Sequence, residues 1–375
     1  MIYLDYSAHT SPDPRVLERF LSVAREYPGN ANAPHAEGER ARALLDSSIS
    51  AIATFFGAEP EEVIMTSGAT EGNNMAIKGS LRLLRHVGRH AVTTPVEHAS
   101  VTAPLSACRE EGWTVDVVSM DDGGRVRMDE LRAALSPDTV LVSCCMVDSE
   151  LGIVQDVDAI ADIVHEKPNR FLHVDATQAV GKIPVRFGKA DFMTLSAHKF
   201  YGVGGAGVLL KKRGAPMEPL LHGGRGQSDS RSGTAPLELI ASTAEALGLC
   251  AEEADARFRQ VSALNARLRA ALACMQGLRI NSPEGAIPHI LNLGIVGLRA
   301  EDAVSFLSAR GICLSAKSAC SYPGTPSKPV YAMYRDKRRA RESFRISLSH
   351  LTTDAEIAML TEKIAEMIEW NAGKR

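Results

Sequence analysis

From residue 62 to residue 210 the chain alternates short apolar runs with helical stretches, and that alternation leaves few folds open. The apolar runs fall at 62–66, 91–94, 114–120, 139–146, 171–175, 191–195 and 208–210. Helical spacing begins near Thr70 and recurs over 98–111, 128–135 and 156–164. Strands separated by helices pair in parallel through crossovers, and the helices then cover both faces of the sheet. The pattern predicts an α/β fold with about seven strands in a largely parallel sheet. Upstream, 15–26 and 36–56 have helical periodicity around a loop rich in Gly, Asn and Pro at 27–34.

After Gly233 the pattern changes. Residues 236–275 form a long helical stretch rich in Ala and Leu, suited to bridging two units. Beyond it, extended segments at 278–281, 289–295 and 344–348 mix with a helix near 301–309, an irregular loop at 315–329, and a C-terminal helix opened by Thr353 or Asp354. This reads as a smaller α+β unit. The expected division is a large domain of residues 12–250 and a small domain of 1–11 with 251–375.

Charge and cysteine placement exclude several classes. A net charge of −3 gives no ground for nucleic-acid or membrane-surface binding. No apolar run approaches the ~18 residues of a membrane span, and MIYLDYSAHT lacks the basic and apolar regions of a secretory signal. The seven cysteines (108, 144, 145, 250, 274, 313 and 320) have no disulfide-framework spacing. A reducing, cytoplasmic setting is expected, with thiols buried or reactive. No metal site is expected.

The chemistry gathers at strand ends. In 191–210, DFMTLSAHKFYGVGGAGVLL, a buried strand delivers Ser196, His198 and Lys199 to the carboxyl edge of the sheet, where ligands bind in open α/β folds. Lys199 there suits a Schiff base with a carbonyl cofactor, although a lone lysine is more often only solvated. In 63–79 a strand ends at Thr66 and a Ser-Gly-Ala turn leads through Ala69 into a helix at Thr70. Such a helix start binds phosphate, or is merely capped. Asp175 closes the strand in FLHVDATQAVGK, where it pairs with a protonated pyridine nitrogen or caps a helix, and Gln178 lies three residues on. His98 follows another strand and suits ring stacking or proton transfer. Arg345, in the strand SFRISL, requires an anion, either a substrate carboxylate or an internal partner. Cys320 lies in a turn-forming loop with Lys317 three residues away, as an activated thiol or an idle one. The glycines of 202–207 fit G-x-G-x-x-G literally, but they precede a strand instead of opening a helix, so no dinucleotide site is read there.

The order of these segments is more specific than any one of them. YLDYSA at 3–8, TSGATEGNN at 66–74, EHASV at 97–101, HVDATQAVGK at 173–182, LSAHKFYG at 195–202, RSGT at 231–234, SAC at 318–320 and FRISL at 344–348 together resemble the cysteine desulfurases over nearly the whole chain. These are fold-type I, pyridoxal 5'-phosphate enzymes of the class V aminotransferase group. The short cysteine loop resembles the class that feeds iron–sulfur cluster assembly and transfer-RNA thiolation. The resemblance implies that Lys199 carries the cofactor and later moves the Cα proton. Asp175 would meet the pyridinium nitrogen, Gln178 the phenolic oxygen and His98 the ring face. Ala69, Thr70, Ser196 and His198 would hold the phosphate, with Thr234 reaching in from the second subunit of a homodimer. Arg345 would bind the carboxylate of L-cysteine, and Cys320 would take its sulfur as a persulfide and pass it to an acceptor protein.

Two positions depart from the family. Asp148-Ser149 stand where an Asn-Asn pair is usual, with Ser149 beside the cofactor and substrate. An Asp148 carboxylate turned to the site would repel a substrate carboxylate. This keeps open a lyase for selenocysteine or another β-substituted amino acid, alongside a third possibility, a cofactor-bearing sulfur-relay scaffold with weak turnover. Lys317 replaces a usual glycine, which would stiffen the cysteine loop or activate Cys320. The basic run 335–341, RDKRRAR, is a docking surface for an acidic acceptor or an ordinary solvated face.

Overall fold

The computed structural model describes residues 1–224, 226–317 and 324–373. Its strands are β1 (Ile2–Tyr3), β2 (Val63–Thr66), β3 (His90–Thr93), β4 (Thr114–Val117), β5 (Thr139–Cys145), β6 (Phe171–Asp175), β7 (Phe192–Ser196), β8 (Gly207–Lys211), β9 (Leu278–Ile280), β10 (Ile290–Ile295), β11 (Ile312–Cys313) and β12 (Ser343–Ser347). Seven of them form one sheet in the order β2-β8-β7-β6-β5-β3-β4. All neighbours are parallel except β8, which runs antiparallel to both β2 and β7. β2 therefore points the same way as β7, and Thr66 finishes on the same edge as Cys145, Asp175 and Ser196.

Burial explains the sequences of the central strands. All seven residues of β5, TVLVSCC, are buried, because helices cover both faces. At the rim β4 exposes three of its four residues.

Helix Leu237–Ala273 spans 37 residues, about 55 Å at helical rise. Its first half buries Leu237, Ile240, Leu247 and Cys250 in the apolar core of the large sheet. Its second half buries Val261, Leu264, Leu268 and Leu272 in a separate core with β10, β12, the C-terminal helix Asp354–Ala372 and Leu4. A small antiparallel sheet, β12-β10-β9, belongs to this second core, and β1 pairs in parallel with β11.

The periodicity missed two short helices: Lys328–Tyr334 begins at the end of the 315–329 stretch read as loop, and Lys337–Glu342 overlaps the basic run 335–341. Both are short, and side-chain caps at Ser327 and Asp336 start them. Among the described residues no helix is long and apolar enough to cross a membrane.

Candidate active site

A cleft of about 260 Å³ opens at the carboxyl edge of the sheet. Ala69, Thr70, His98, Ser149, Asp175, Gln178, Ser196, His198, Lys199 and Arg345 all line it. Parallel pairing aligns the strand ends: Cys145 lies opposite Asp175, and Asp175 opposite Thr194. Thr66 and Ser196 both face Gly207 across β8. A Cβ on Gly207 would stand 2.5 Å from Gly68 Cα, so only glycine lets the 66–69 turn nest against β8. Ser196 Oγ then accepts the Ala69 amide at 2.7 Å and fixes the start of helix Ala69–Asn74. This helix continues through a π-type turn at Met75–Gly79, an irregularity that recurs near functional sites.

Asn73, which the sequence reading passed over, organises the buried polar groups beneath the cleft. Its Nδ2 donates to Asp175 Oδ2 and to Ser100 Oγ, both at 2.8 Å. Its Oδ1 accepts from His173 Nε2 at 3.1 Å and from the Thr194 hydroxyl. Ser143 Oγ bonds His173 Nδ1 at 2.8 Å. Burial holds His173 neutral, with its pKa pushed down to about 4. Every partner in this chain has a defined role, so Asp175 is held from below at one oxygen, while its other oxygen accepts the Thr177 amide at 3.0 Å.

His98 caps helix Ala99–Glu110. Its Nδ1 accepts the Ser100 amide at 3.1 Å, leaving Nε2 to carry the proton of the neutral ring. Burial lowers its pKa, against the pull of Asp175. His198 is pushed down to about 4, first by burial and then by Lys199, and stacks on His9. Lys199 Nζ donates to the carbonyls of Ser7 and Ala8 at 2.8 and 2.7 Å. Gln178 Nε2 reaches the same Ser7 oxygen at 2.9 Å.

Arg345 is 1% exposed. Its Nη2 pairs with Asp5 Oδ1 and its Nη1 donates to the Ser149 carbonyl, each at 2.8 Å, while Nε has no hydrogen-bond partner among the described residues. The guanidinium is thus internally paired, as one reading of its sequence context expected, and it also lines the cleft. The bridges of Asp5 to Ser347 and Ser315 to Arg345 bring the chain start and the cysteine loop to this point. Cys320 itself lies outside the described residues. At the base of its loop, Lys317 Nζ donates to the Thr325 carbonyl and hydroxyl at 2.6 and 2.7 Å, which ties the two ends of residues 318–323 together.

Asp148 does not face the cleft as the sequence allowed. It is fully buried and accepts the Glu150 and Leu151 amides within its own turn. Burial, then Glu150, raises its pKa to about 7. Thr234 is exposed and does not line the cleft of its own chain.

The aminotransferase class-V family profile matches residues 2–360. A NifS/IcsS protein homolog of Lactobacillus delbrueckii subsp. bulgaricus is 37% identical over 359 residues, 94% of this chain and 93% of the relative. Cysteine desulfurase IscS of Serratia proteamaculans is 35% identical over 379 residues, 98% of this chain and 92% of the relative. The chain belongs to the class-V aminotransferase family, among its cysteine desulfurases. A solved NifS-like protein superposes with a TM-score of 0.92 at 32% identity, covering 98% of this chain and 99% of that one. Within this family frame, Asn73, Ser100 and Asp5 are the site residues that strand-end reasoning missed. A helical spacing of three from Thr70 would have pointed to Asn73. Nothing local signals Asp5.

Proposed function

We propose that this chain is a pyridoxal 5'-phosphate-dependent L-cysteine desulfurase that moves sulfur from L-cysteine to Cys320, releases L-alanine, and hands the sulfur to an acceptor protein for iron–sulfur assembly or transfer-RNA thiolation. The observation that carries this reading is the convergence of Lys199, Asp175 and His98 on one cleft in a chain of this family. The cleft suits the cofactor, because three buried polar atoms without partners among the described residues belong to residues that line it: Thr177 Oγ1, Ser7 Oγ and Arg345 Nε. When bound, the cofactor makes the substrate Cα acidic by drawing electrons into its ring.

The chain's own residues divide the remaining work. Asp175, braced by Asn73, would hold a proton on the ring nitrogen. Gln178 would meet the phenolic oxygen and His98 the ring face. Ser196, His198, Thr70 and the amide-rich helix start at Ala69 would hold phosphate, with Thr234 arriving from a second copy in a homodimer. Ser149 and Arg345 would orient the substrate carboxylate. Lys199 would hold the cofactor and, as a free amine, would take the Cα proton. The Cys320 thiolate attacks the substrate sulfur, the carbon–sulfur bond breaks, and its electron pair remains on Cβ, which is protonated to give alanine. Such thiol chemistry fits the reducing cytoplasm. Asp148, spent on its own turn, gives no reason to prefer another β-substituted substrate.

The test is direct. Purified protein given pyridoxal 5'-phosphate should gain a visible absorption band that Lys199→Ala lacks. With L-cysteine and a reductant it should form alanine and sulfide in equal amounts. A chain that binds the cofactor and makes no alanine refutes the reading.

A further inference from the structure

Behind the turn that carries Lys199 lies a second amine with no role above. Lys182 is buried, and its Nζ donates to Gln178 Oε1 at 3.3 Å and to the Lys199 carbonyl at 3.4 Å. Gln178 Nε2 and Lys199 Nζ share the Ser7 carbonyl, so the bonds close into a ring. Both lysines also line a cavity of about 10 Å³, room for a single water, together with Arg257, His289 and His350.

Among the described residues that line this cavity none carries a negative charge near neutrality; two carboxylates near it, Asp13 and Glu253, are held by Arg257. Burial pushes His289 down to about 3 and His350 to about 4, so both are neutral. Burial raises Tyr6, and raises Tyr201 to about 12, which keeps both phenols protonated. The Cys250 thiol is pushed up to about 11. Arg345 adds positive charge at Lys182, while Arg257 is paired with Glu253 and Asp13. Two amines therefore share this small cavity, and no carboxylate is among the described residues that line it, so repulsion between them is only partly screened.

We propose that Lys182 is a positioning residue whose charge, acting across this cavity, biases the Lys199 amine toward its neutral, nucleophilic form. The inference rests on the reading of Lys199 as the reacting amine. Lys182 itself is pushed down to about 7, by burial first and Lys199 second. The bias therefore operates at and below neutral pH and fades as Lys182 loses its proton. Asp175, His98 and His198 meet Lys199 from the cleft side in wild type and variants alike, so their influence cancels in comparison.

The test labels Lys199 with a limiting amount of acetic anhydride in the full-length chain before any aldehyde is added, and follows the Lys199 peptide by mass spectrometry against pH. In Lys182→Met and Lys182→Gln, labelling at pH ~6.5 should fall about tenfold, the effect of one pKa unit, and should rejoin wild type above pH ~9. Glutamine keeps a hydrogen bond to the Lys199 carbonyl without the charge, and circular dichroism reports whether each variant folds. Equal labelling of wild type and a folded variant at low pH overturns the proposal. So does a Lys182→Gln variant that labels like wild type while Lys182→Met does not, since the bond would then matter and the charge would not. A labelling shift in a protein that gains no visible band with pyridoxal 5'-phosphate would sink the cofactor reading and leave this inference standing.

Discussion

Asp5→Ala should unsettle the site more than any other exchange near the chain start. Asp5 is the only carboxylate paired with Arg345 among the described residues. Arg345 is almost inaccessible, so losing Asp5 leaves a guanidinium with one carbonyl contact and little water to replace the missing charge. Breaking a buried pair from one side costs about 3–5 kcal/mol. Because Arg345 keeps its contact with the Ser149 carbonyl, the lower end, about 3 kcal/mol, is expected. Loss of the 2.6 Å bond from Ser315 Oγ to Asp5 Oδ2 adds about 1 kcal/mol more. Urea unfolding of the full chain at fixed protein concentration measures the sum. A double-mutant cycle with Arg345→Met separates the two parts, because only the ion pair couples the positions. The pair should show a coupling of at least about 1.5 kcal/mol. A coupling below about 0.5 kcal/mol would refute the argument that Asp5 compensates a buried charge.

Two further outcomes follow from the geometry. Gly207→Ala places a Cβ 2.5 Å from Gly68 Cα and 2.8 Å from the Leu195 carbonyl, all backbone, so stability should drop by about 1–3 kcal/mol and pyridoxal 5'-phosphate should bind more weakly; an unchanged melting temperature would contradict this. Burial raises Glu97 from 4.5 to about 8, so between those values the folded chain holds a proton that the unfolded chain has released. Stability should therefore decline as pH rises through that window, by up to about 1.4 kcal/mol per unit. Glu97→Gln stays neutral and should flatten the slope; an equal slope in both proteins would exclude Glu97 as its source.

The large sheet and most of the cleft were legible because each element leaves a local mark. Continuous apolar runs such as 139–146 announce buried parallel strands, and Asp175, Ser196, Lys199 and His98 follow directly from where those runs end. The antiparallel turn into β8 was implicit in the glycine-rich return at 202–207, which is too short for a crossover helix. Contacts between distant segments leave no such mark. Asp5 and Arg345 are 340 residues apart, and β1 and β11 are two residues each. The direction of Asp148 was equally hidden, because a carboxylate that bonds the amides of its own turn has the same local sequence as one that faces a ligand. Lys182 stands at the end of HVDATQAVGK with no local sign of its surroundings, and only the fold reveals a buried amine behind Lys199.

The central claim is that sulfur leaves L-cysteine for Cys320. Its most direct measurement is the mass of the Cys320 peptide after the loaded protein meets L-cysteine without reductant. The account predicts one added sulfur atom on Cys320 and an equal amount of alanine, with both lost in Cys320→Ala while the visible band remains. Alanine formed at the wild-type rate by Cys320→Ala, or an unmodified Cys320 peptide alongside full alanine yield, would contradict it.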